Sequence, residues 1–342
     1  MDPLTHALLG GSAAAAVSAP SRMRAAAVIG GFAALLADLD ILIQSDHDPL
    51  LQLEFHRQFT HALIFIPIGA LVASLLLRWW TKPQGIPFRS SWGMACLGYG
   101  TAGPLDACTS YGTQLLWPFS ELRIAWSVIP VVEPITTLIL MIFLYRAAKR
   151  HQPGWAMIGL TLMLAWFGVA TFQHHRASEL ARSWAQKQGD PVESLHVKPT
   201  MMNLILWRAV YKTGPEIQAL AVRPALSGDE RLYPGERAVW IDTSRALPDL
   251  PSDSVLAEDL RRFSRLSDHF VVAHPERPDW FGDGRYALLP DRIAPLWGIT
   301  IDARHSDRHA PFDNFRAWKP DTMPRFLHML SGKPAPTDSG SS

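Results

Sequence analysis

Residues 54–61 read EFHRQFTH and lead directly into an apolar run at residues 62–77. Two imidazoles and a guanidinium therefore stand at the mouth of what the composition predicts to be a membrane-spanning helix. Ionisable groups are expensive in hydrocarbon, so a cluster at such a mouth usually has a function. The apolar run thus indicates a membrane protein, and its polar mouth locates a candidate site.

Part of this motif also occurs near the start of the chain. The tetrapeptide THAL stands at residues 5–8 and again at residues 60–63. After a long apolar interval, each copy is followed by a Leu-Asp pair, which ends at Asp40 or at Asp106. The repetition favours a parallel internal duplication, although Ala and Leu are common enough here for chance to produce it.

In both copies a threonine precedes the histidine. Thr5 and Thr60 are each placed to cap a helix that begins at the next residue, because a threonine hydroxyl can accept a free N–H of the first turn. The sequence therefore predicts His6 and His61 at matching positions on two similar helices.

Charge divides the chain into two unlike parts. Residues 1–172 contain 19 of the 63 charged side chains, and residues 173–342 contain the other 44. We expect residues 1–172 to form a polytopic α-helical membrane domain of about five or six apolar helices. The apolar segments behind this prediction are residues 4–19, 25–43, 61–80, 91–105, 126–145 and 155–172.

The remainder is predicted to be a soluble α+β domain at residues 173–332, followed by a disordered tail at 333–342. Alternating residues at 203–211 and 216–222 indicate a β-hairpin. Apolar residues at helical spacing indicate an amphipathic helix at 254–266.

Basic residues assign an orientation to the predicted helices. They cluster at residues 22–24, 78–89 and 146–150, so these loops should be cytoplasmic. Counting the predicted crossings from these loops puts all the candidate histidines and aspartates on the opposite face. It puts the soluble C-terminal domain on that extracytoplasmic face as well.

The residues gathered on this face suit a metal ion. Neutral imidazoles and carboxylates are the usual ligands of a hydrolytic zinc or similar ion. Such an ion lowers the pKa of a bound water and polarises a phosphoryl or acyl oxygen. The alternative is that the histidines are structural hydrogen-bonding groups at a membrane interface. The candidate ligands, enough for one ion or for two that share a carboxylate, are His6, Asp40, His56, His61 and Asp106.

Three further polar residues are candidates for a function close to the ion. Asp38 is either a ligand or a partner that orients a histidine. Asp38 and Glu133 are the candidates for handling the catalytic proton, although Glu133 is equally explained as a polar group at a helix kink. Arg57 either clamps a substrate phosphate or carboxylate or pairs with Glu54.

The polar, turn-forming segment at residues 109–118 suits a loop on the outer membrane interface. Its Ser110 and Tyr111 are candidates for binding the substrate at an entrance. The chain has no G-x-S-x-G motif, so Ser110 is not interpreted as a nucleophile.

Two other classes of protein are disfavoured. The formal net charge is +1, and no basic stripe with interleaved aromatic residues indicates nucleic-acid binding. The only cysteines, Cys96 and Cys108, fit neither a zinc-binding C-x-x-C pattern nor a disulfide framework.

Four motifs in combination resemble a known bacterial family. They are DPLTHALLG at residues 2–10, ADLD at 37–40, HRQFTH at 56–61 and DACTSYGTQ at 106–114. The resemblance is to the membrane-bound metal-dependent hydrolases of the YdjM/YbcI group, which has a LexA-regulated member, and it covers roughly residues 1–170. That group is distantly similar to zinc-dependent phospholipase C and the P1-type nucleases.

The resemblance implies a multi-pass protein of the bacterial inner membrane with zinc bound through the five candidate ligands. We therefore expect a membrane-bound metal-dependent hydrolase that acts on a phosphoester of a lipid or another amphiphile. Membrane lipids are its expected partners, because a site at this depth meets head groups first. One rival is an ion-coupled transporter, which should place polar residues deep in several spans. The other is a non-catalytic envelope-stress protein whose metal has closed coordination.

Overall fold

The computed structural model describes residues 1–225, 230–243, 250–315 and 318–333. All but the first residue of the predicted tail at 333–342 lies outside these described residues. The chain divides into two units, each treated by itself below. The first unit consists of Met1–Ile43, Glu54–Phe172 and Met201–Asn203. The second unit consists of Gln44–Leu53, Gln173–Thr200 and Leu204–Ser342.

The first unit is helical. Its α-helices are α1 (Pro3–Ala16), α2 (Met23–Ala37), α4 (Ile66–Leu76), α5 (Arg78–Thr81), α6 (Phe88–Tyr99), α7 (Ala102–Ala107) and α8 (Pro134–Arg150). The short α3 (Leu51–Phe55) and the long α9 (Pro153–Gln188) each continue from one unit into the other along the chain. Short 3-10 helices at Asp38–Leu42 and Phe59–His61 carry several of the candidate site residues.

The prediction of five or six membrane-spanning helices is wrong. Among the described residues, two helices are long and apolar enough to cross a bilayer, Pro20–Leu42 and Pro153–Gln188. A third crossing is added if the pair Leu51–His61 and Leu63–Leu76, which bends by 61°, counts as one span. The other apolar segments are divided by breaks into shorter helices. For example, the 14 residues of α1 span about 21 Å, less than the roughly 30 Å of hydrocarbon.

Small residues bring the helices of the first unit close together. A Cβ atom added to Gly30 of α2 would lie 2.3 Å from the carbonyl oxygen of Gly10 in α1. A Cβ added to Gly98 of α6 would lie 2.1 Å from the carbonyl oxygen of Gly30. Glycine at these crossings lets the backbones approach directly. A Cβ added to Gly31 would lie 2.9 Å from the carbonyl oxygen of Ala7, so the first half of α1 lies beside the second half of α2.

This packing predicts a large effect of one methyl group. Gly30→Ala should destabilise the first unit by about 1–3 kcal/mol. The new Cβ would overlap the backbone of Gly10 and the Cβ of Ala14, and neither can move aside without shifting α1. Gly93→Ala is the matched control in α6, since its Cβ would meet nothing within 4 Å. Thermal unfolding in detergent should show a lower midpoint for the Gly30 variant only. Equal midpoints for the two variants would contradict the close crossing.

The second unit contains two antiparallel sheets of four strands each. The chain as a whole is therefore a mixed helix-and-sheet protein. The first sheet, in sequential order, consists of β1 (Ser194–Pro199), β2 (Trp207–Thr213), β3 (Glu216–Arg223) and β4 (Arg231–Val239). The second consists of β5 (Val271–His274), β6 (Arg277–Asp283), β7 (Trp297–Thr300) and β8 (Phe312–Asn314). Two α-helices, α10 (Val255–Leu266) and α11 (Thr322–Leu330), and a 3-10 helix at Ala303–His305 also belong to this unit.

Two local predictions for this unit are confirmed. Strands β2 and β3 pair as an antiparallel hairpin, with Trp207 opposite Val222 and Thr213 opposite Glu216. The predicted amphipathic helix is α10, which is capped by the side chain of Ser254. Its buried face packs in a core that also contains the fully buried Leu50, from the segment Gln44–Leu53.

Candidate metal centre

Four side chains from separate segments of the first unit converge on one point. His6 Nε2 of α1 lies 3.2 Å from Asp106 Oδ1 of α7 and 3.9 Å from Asp38 Oδ1. His61 Nε2 lies 3.1 Å from Asp106 Oδ2 and 3.4 Å from Asp38 Oδ1. We refer to His6, Asp38, His61 and Asp106 as the candidate centre.

These separations suit atoms that share one cation. Ligand atoms bound at about 2.0–2.2 Å to a tetrahedral ion lie roughly 3.3–3.6 Å apart. His6, Asp38 and Asp106 alone offer three ligand atoms that lie within 4.8 Å of one another. Asp38 Oδ2 is buried without a hydrogen-bond partner among the described residues, whereas His61 Nε2 and Asp106 Oδ2 have ion-pair partners but form no hydrogen bond of ordinary geometry. Buried polar atoms of this kind normally have a partner, and a metal ion would provide one.

Burial and charge favour a cation at the same point. Three of the four side chains are almost completely buried: His6 is 0%, Asp106 1% and His61 3% exposed. The Asp38 side chain is 25% exposed, so it lies on the open side of the centre. Burial alone would raise the pKa of Asp106, but the Arg57 guanidinium, with His6 and His61, lowers it well below its usual range. Asp106 is therefore ionised.

The backbone around His61 is held by two residues that follow it in the chain. The Tyr99 hydroxyl donates a 2.7 Å hydrogen bond to the carbonyl oxygen of Thr60. A Cβ added to Gly103 would lie 2.3 Å from the carbonyl oxygen of His61, so only glycine allows α7 to come this close. Asp106 lies three residues further along α7, and this approach places its carboxylate against the His61 ring.

The structure places Asp40 and His56, two of the predicted ligands, outside the candidate centre. Asp40 Oδ2 accepts a 2.6 Å hydrogen bond from the Arg57 N–H and lies 3.5 Å from His61 Nδ1, the far side of the ring from Nε2. Asp40 Oδ1 lies 3.3 Å from His56 Nδ1. Asp40 thus lies on the far side of the His61 ring from the candidate centre, while Asp38 occupies the position predicted for Asp40.

The predicted capping roles of Thr5 and Thr60 are wrong. Helix α1 begins at Pro3, and its cap is Asp2, whose Oδ1 accepts the Thr5 N–H at 2.9 Å. Thr60 lies within a 3-10 helix, where its hydroxyl is 3.0 Å from His61 Nδ1. The threonine hydroxyls therefore do not start two equivalent helices.

Arg57 pairs inside the site. Its Nε lies 2.9 Å from Asp106 Oδ2, and its Nη1 donates a 2.7 Å hydrogen bond to Thr109 Oγ1. The amine of Met1 forms a second ion pair with Asp106. Thr109 is the first residue of the polar segment at 109–118, and its contact with Arg57 was not predicted.

Glu133 has a structural role in this arrangement. Its Oε2 accepts the N–H of Thr136 at 2.5 Å, and it caps α8, whose first residue is Pro134. This contact agrees with the alternative in which Glu133 is a polar group at a helix kink, since it lies where α8 begins.

The half-buried Ser110 and Tyr111 follow α7 in the loop beside Arg57. The Tyr111 ring lies 5.1 Å from the His56 ring and 5.5 Å from the Arg57 guanidinium. Arg123 reinforces this loop by donating hydrogen bonds to the carbonyl oxygens of Glu54, at 2.7 Å, and His56, at 3.0 Å. Sequence reasoning missed Arg123 because it belongs to no motif or periodic segment.

Comparison with known proteins identifies a family. A family model described as YdjM inner membrane protein matches residues 1–177, just over half of the chain and all of the candidate centre. Neither the curated proteins nor the solved structures include a significant match.

Proposed function

This chain belongs to the YdjM inner membrane protein family, and we propose that it is a membrane-bound metal-dependent hydrolase. The convergence of His6, His61, Asp106 and Asp38 at the separations of metal ligands carries the proposal. Two imidazoles and a carboxylate are a donor set that suits zinc or a similar divalent ion. His6, His61 and Asp106, the three most buried members, would hold the ion and leave a position open beside the accessible Asp38.

The ion, when bound, would supply Lewis acidity toward a phosphoryl oxygen and toward water. Asp38 is accessible at the open position and can accept a proton from an attacking water there. The Thr60 hydroxyl, 3.0 Å from His61 Nδ1, and the Asp40 carboxylate, 3.5 Å from the same atom, hold the ring with Nε2 toward the centre. Arg57 pairs with Asp106 and donates a hydrogen bond to Thr109, so its function here is to keep the Asp106 carboxylate ionised and in position.

The position of the centre along the candidate spans supports a substrate at the membrane surface. Asp38 stands near the end of Pro20–Leu42, and His61 stands at the bend of the third, broken span. Basic residues cluster at the opposite ends of these spans and before Pro153–Gln188. With three crossings, the positive-inside rule puts the centre and the second unit on the extracytoplasmic face. We therefore propose a phosphoester of a lipid or another amphiphile as the substrate.

Turnover by the metal-loaded chain in mixed micelles tests this function. A panel of phospholipids and phosphodiesters should include a substrate whose hydrolysis stops when the metal is chelated. Asp38→Asn should lower kcat by about 10²–10⁴-fold while metal stays bound, because the proton acceptor is lost. Asp46→Asn, an exposed acid of the following loop, should leave kcat unchanged. Bound metal without turnover of any substrate would instead favour a metal-stabilised, non-catalytic membrane protein.

A further inference from the structure

The loop between α7 and α8 is fastened at its base to the segment that carries His61. Thr113 and Ile124 exchange backbone hydrogen bonds of 3.0 and 2.9 Å and so close the loop. The N–H of Gln114 donates to the carbonyl of Arg57 at 3.0 Å. The N–H of Leu63 donates to the carbonyl of Leu115 at 2.9 Å. Residues 116–126, here called the apical loop, are thus held beside the candidate centre.

The apical loop exposes large apolar side chains. Within these 11 residues, Leu116 is 48%, Phe119 81%, Leu122 65% and Trp126 52% exposed. No other large apolar side chain among the described residues is as exposed as Phe119. A concentration of exposed apolar groups of this kind marks a surface that contacts a partner or a membrane.

A second apolar border flanks the open side of the centre. Leu39 is 49% and Leu42 73% exposed, and they lie in the same 3-10 helix as Asp38. This helix is the last part of the candidate span Pro20–Leu42. The apolar surface around Asp38 is therefore continuous with a segment assigned to the membrane.

Some backbone N–H groups of the apical loop form hydrogen bonds within the loop, which suits a lipid environment. The N–H groups of Phe119 and Ser120 both donate to the carbonyl of Leu116, at 2.9 and 3.2 Å. Internal hydrogen bonds lower the penalty of moving backbone polar groups into lipid. Trp126 is of a type enriched at the membrane interface, and the exposed Glu121 limits the depth to the head-group boundary.

We propose that the apical loop is inserted into the leaflet and that the centre takes its substrate laterally from that leaflet. The substrate would be a lipid whose phosphoester reaches Asp38 while its acyl chains stay between the loop and residues 39–42. The identity of the substrate rests on the proposed hydrolase function, whereas insertion of the loop does not.

Fluorescence quenching tests insertion without any assay of activity. Phe119→Cys, in a full chain with Cys96 and Cys108 changed to Ala, would carry an environment-sensitive fluorophore in nanodiscs. The control site is Val239→Cys in the second unit, where the native side chain is 65% exposed. Phospholipid brominated on its acyl chains should quench the Phe119 label at least 3-fold more than the Val239 label. Iodide quenching of both labels to the same extent would overturn the proposal.

A double substitution tests lateral entry. Phe119→Ser with Leu122→Ser should lower turnover of phospholipid in vesicles by at least about 10-fold and leave turnover of a short-chain, water-soluble phosphodiester unchanged. Equal effects on the two substrates would contradict lateral entry. If the unaltered chain turns over neither substrate, the hydrolase function fails, and the bromolipid quenching still decides whether the loop is inserted.

Discussion

Asp106→Asn is expected to lower the affinity of the chain for a divalent metal by at least about 100-fold. The Asp106 carboxylate approaches both histidines more closely than Asp38 does, with Oδ1 3.2 Å from His6 Nε2 and Oδ2 3.1 Å from His61 Nε2. Asparagine keeps the size but removes the charge and one acceptor oxygen. Competition for zinc against a chromophoric chelator, with the full chain in detergent, measures the change.

The control for this measurement is Asp48→Asn. Asp48 belongs to another acidic group, with Asp259 and His309 in the second unit, where Arg262 already pairs with it at 2.8 Å. Zinc affinity should not change in this variant. His61→Ala should reproduce the loss seen for Asp106→Asn. Retention of full affinity by both Asp106→Asn and His61→Ala would end the assignment of the site.

Arg208→Met is expected to destabilise the second unit by about 3–5 kcal/mol. Arg208 of β2 is 2% exposed, and burial lowers its pKa only to about 10, so it stays charged at neutral pH. Its guanidinium donates hydrogen bonds to five backbone carbonyl groups, those of Gly284, Arg285, Leu289, Pro290 and Arg292. Removing one donor group therefore leaves several buried acceptors without a partner.

Hydrogen exchange followed by mass spectrometry locates this effect. Amides of β2, β3 and residues 284–292 should exchange faster in Arg208→Met. The matched control is Arg304→Met, because 86% of the Arg304 side chain is exposed, where it pairs with Asp302. Exchange in that variant should match the unaltered chain. If amides 284–292 exchange equally slowly in Arg208→Met and in the unaltered chain, this segment does not depend on the Arg208 hydrogen bonds.

In the first unit, the motifs were more informative than the apolar composition. The motifs around His6, His61 and Asp106 were sufficient to predict that these side chains meet. The number of spans was not predictable from composition, because it depends on where helices break. Apolar letters continue from α1 toward the basic residues at 22–24, yet the helix ends at Ala16.

The exchange of Asp38 and Asp40 has a similar cause. Helix α2 ends at Ala37, and residues Asp38–Leu42 continue as a 3-10 helix. A 3-10 helix turns about 120° per residue rather than about 100°. The direction of each side chain after Ala37 therefore depends on a change of helix type that no residue pattern announces.

In the second unit, alternation was enough to predict the hairpin of β2 and β3 because strand pairing there is local. The assignment of Gln44–Leu53 to this unit was not predicted. Leu50 packs with residues of α10 that lie about 200 positions later. Contacts over such a distance in sequence leave no periodic signal in either segment.

X-ray absorption of the zinc-loaded full chain tests the central claim most directly. We expect one zinc per chain with only nitrogen and oxygen neighbours, at about 2.0–2.2 Å, and the multiple-scattering pattern of two imidazoles. That set corresponds to His6 and His61 with Asp106. Sulfur neighbours at about 2.3 Å from Cys96 or Cys108, or zinc without imidazole scattering, would contradict it.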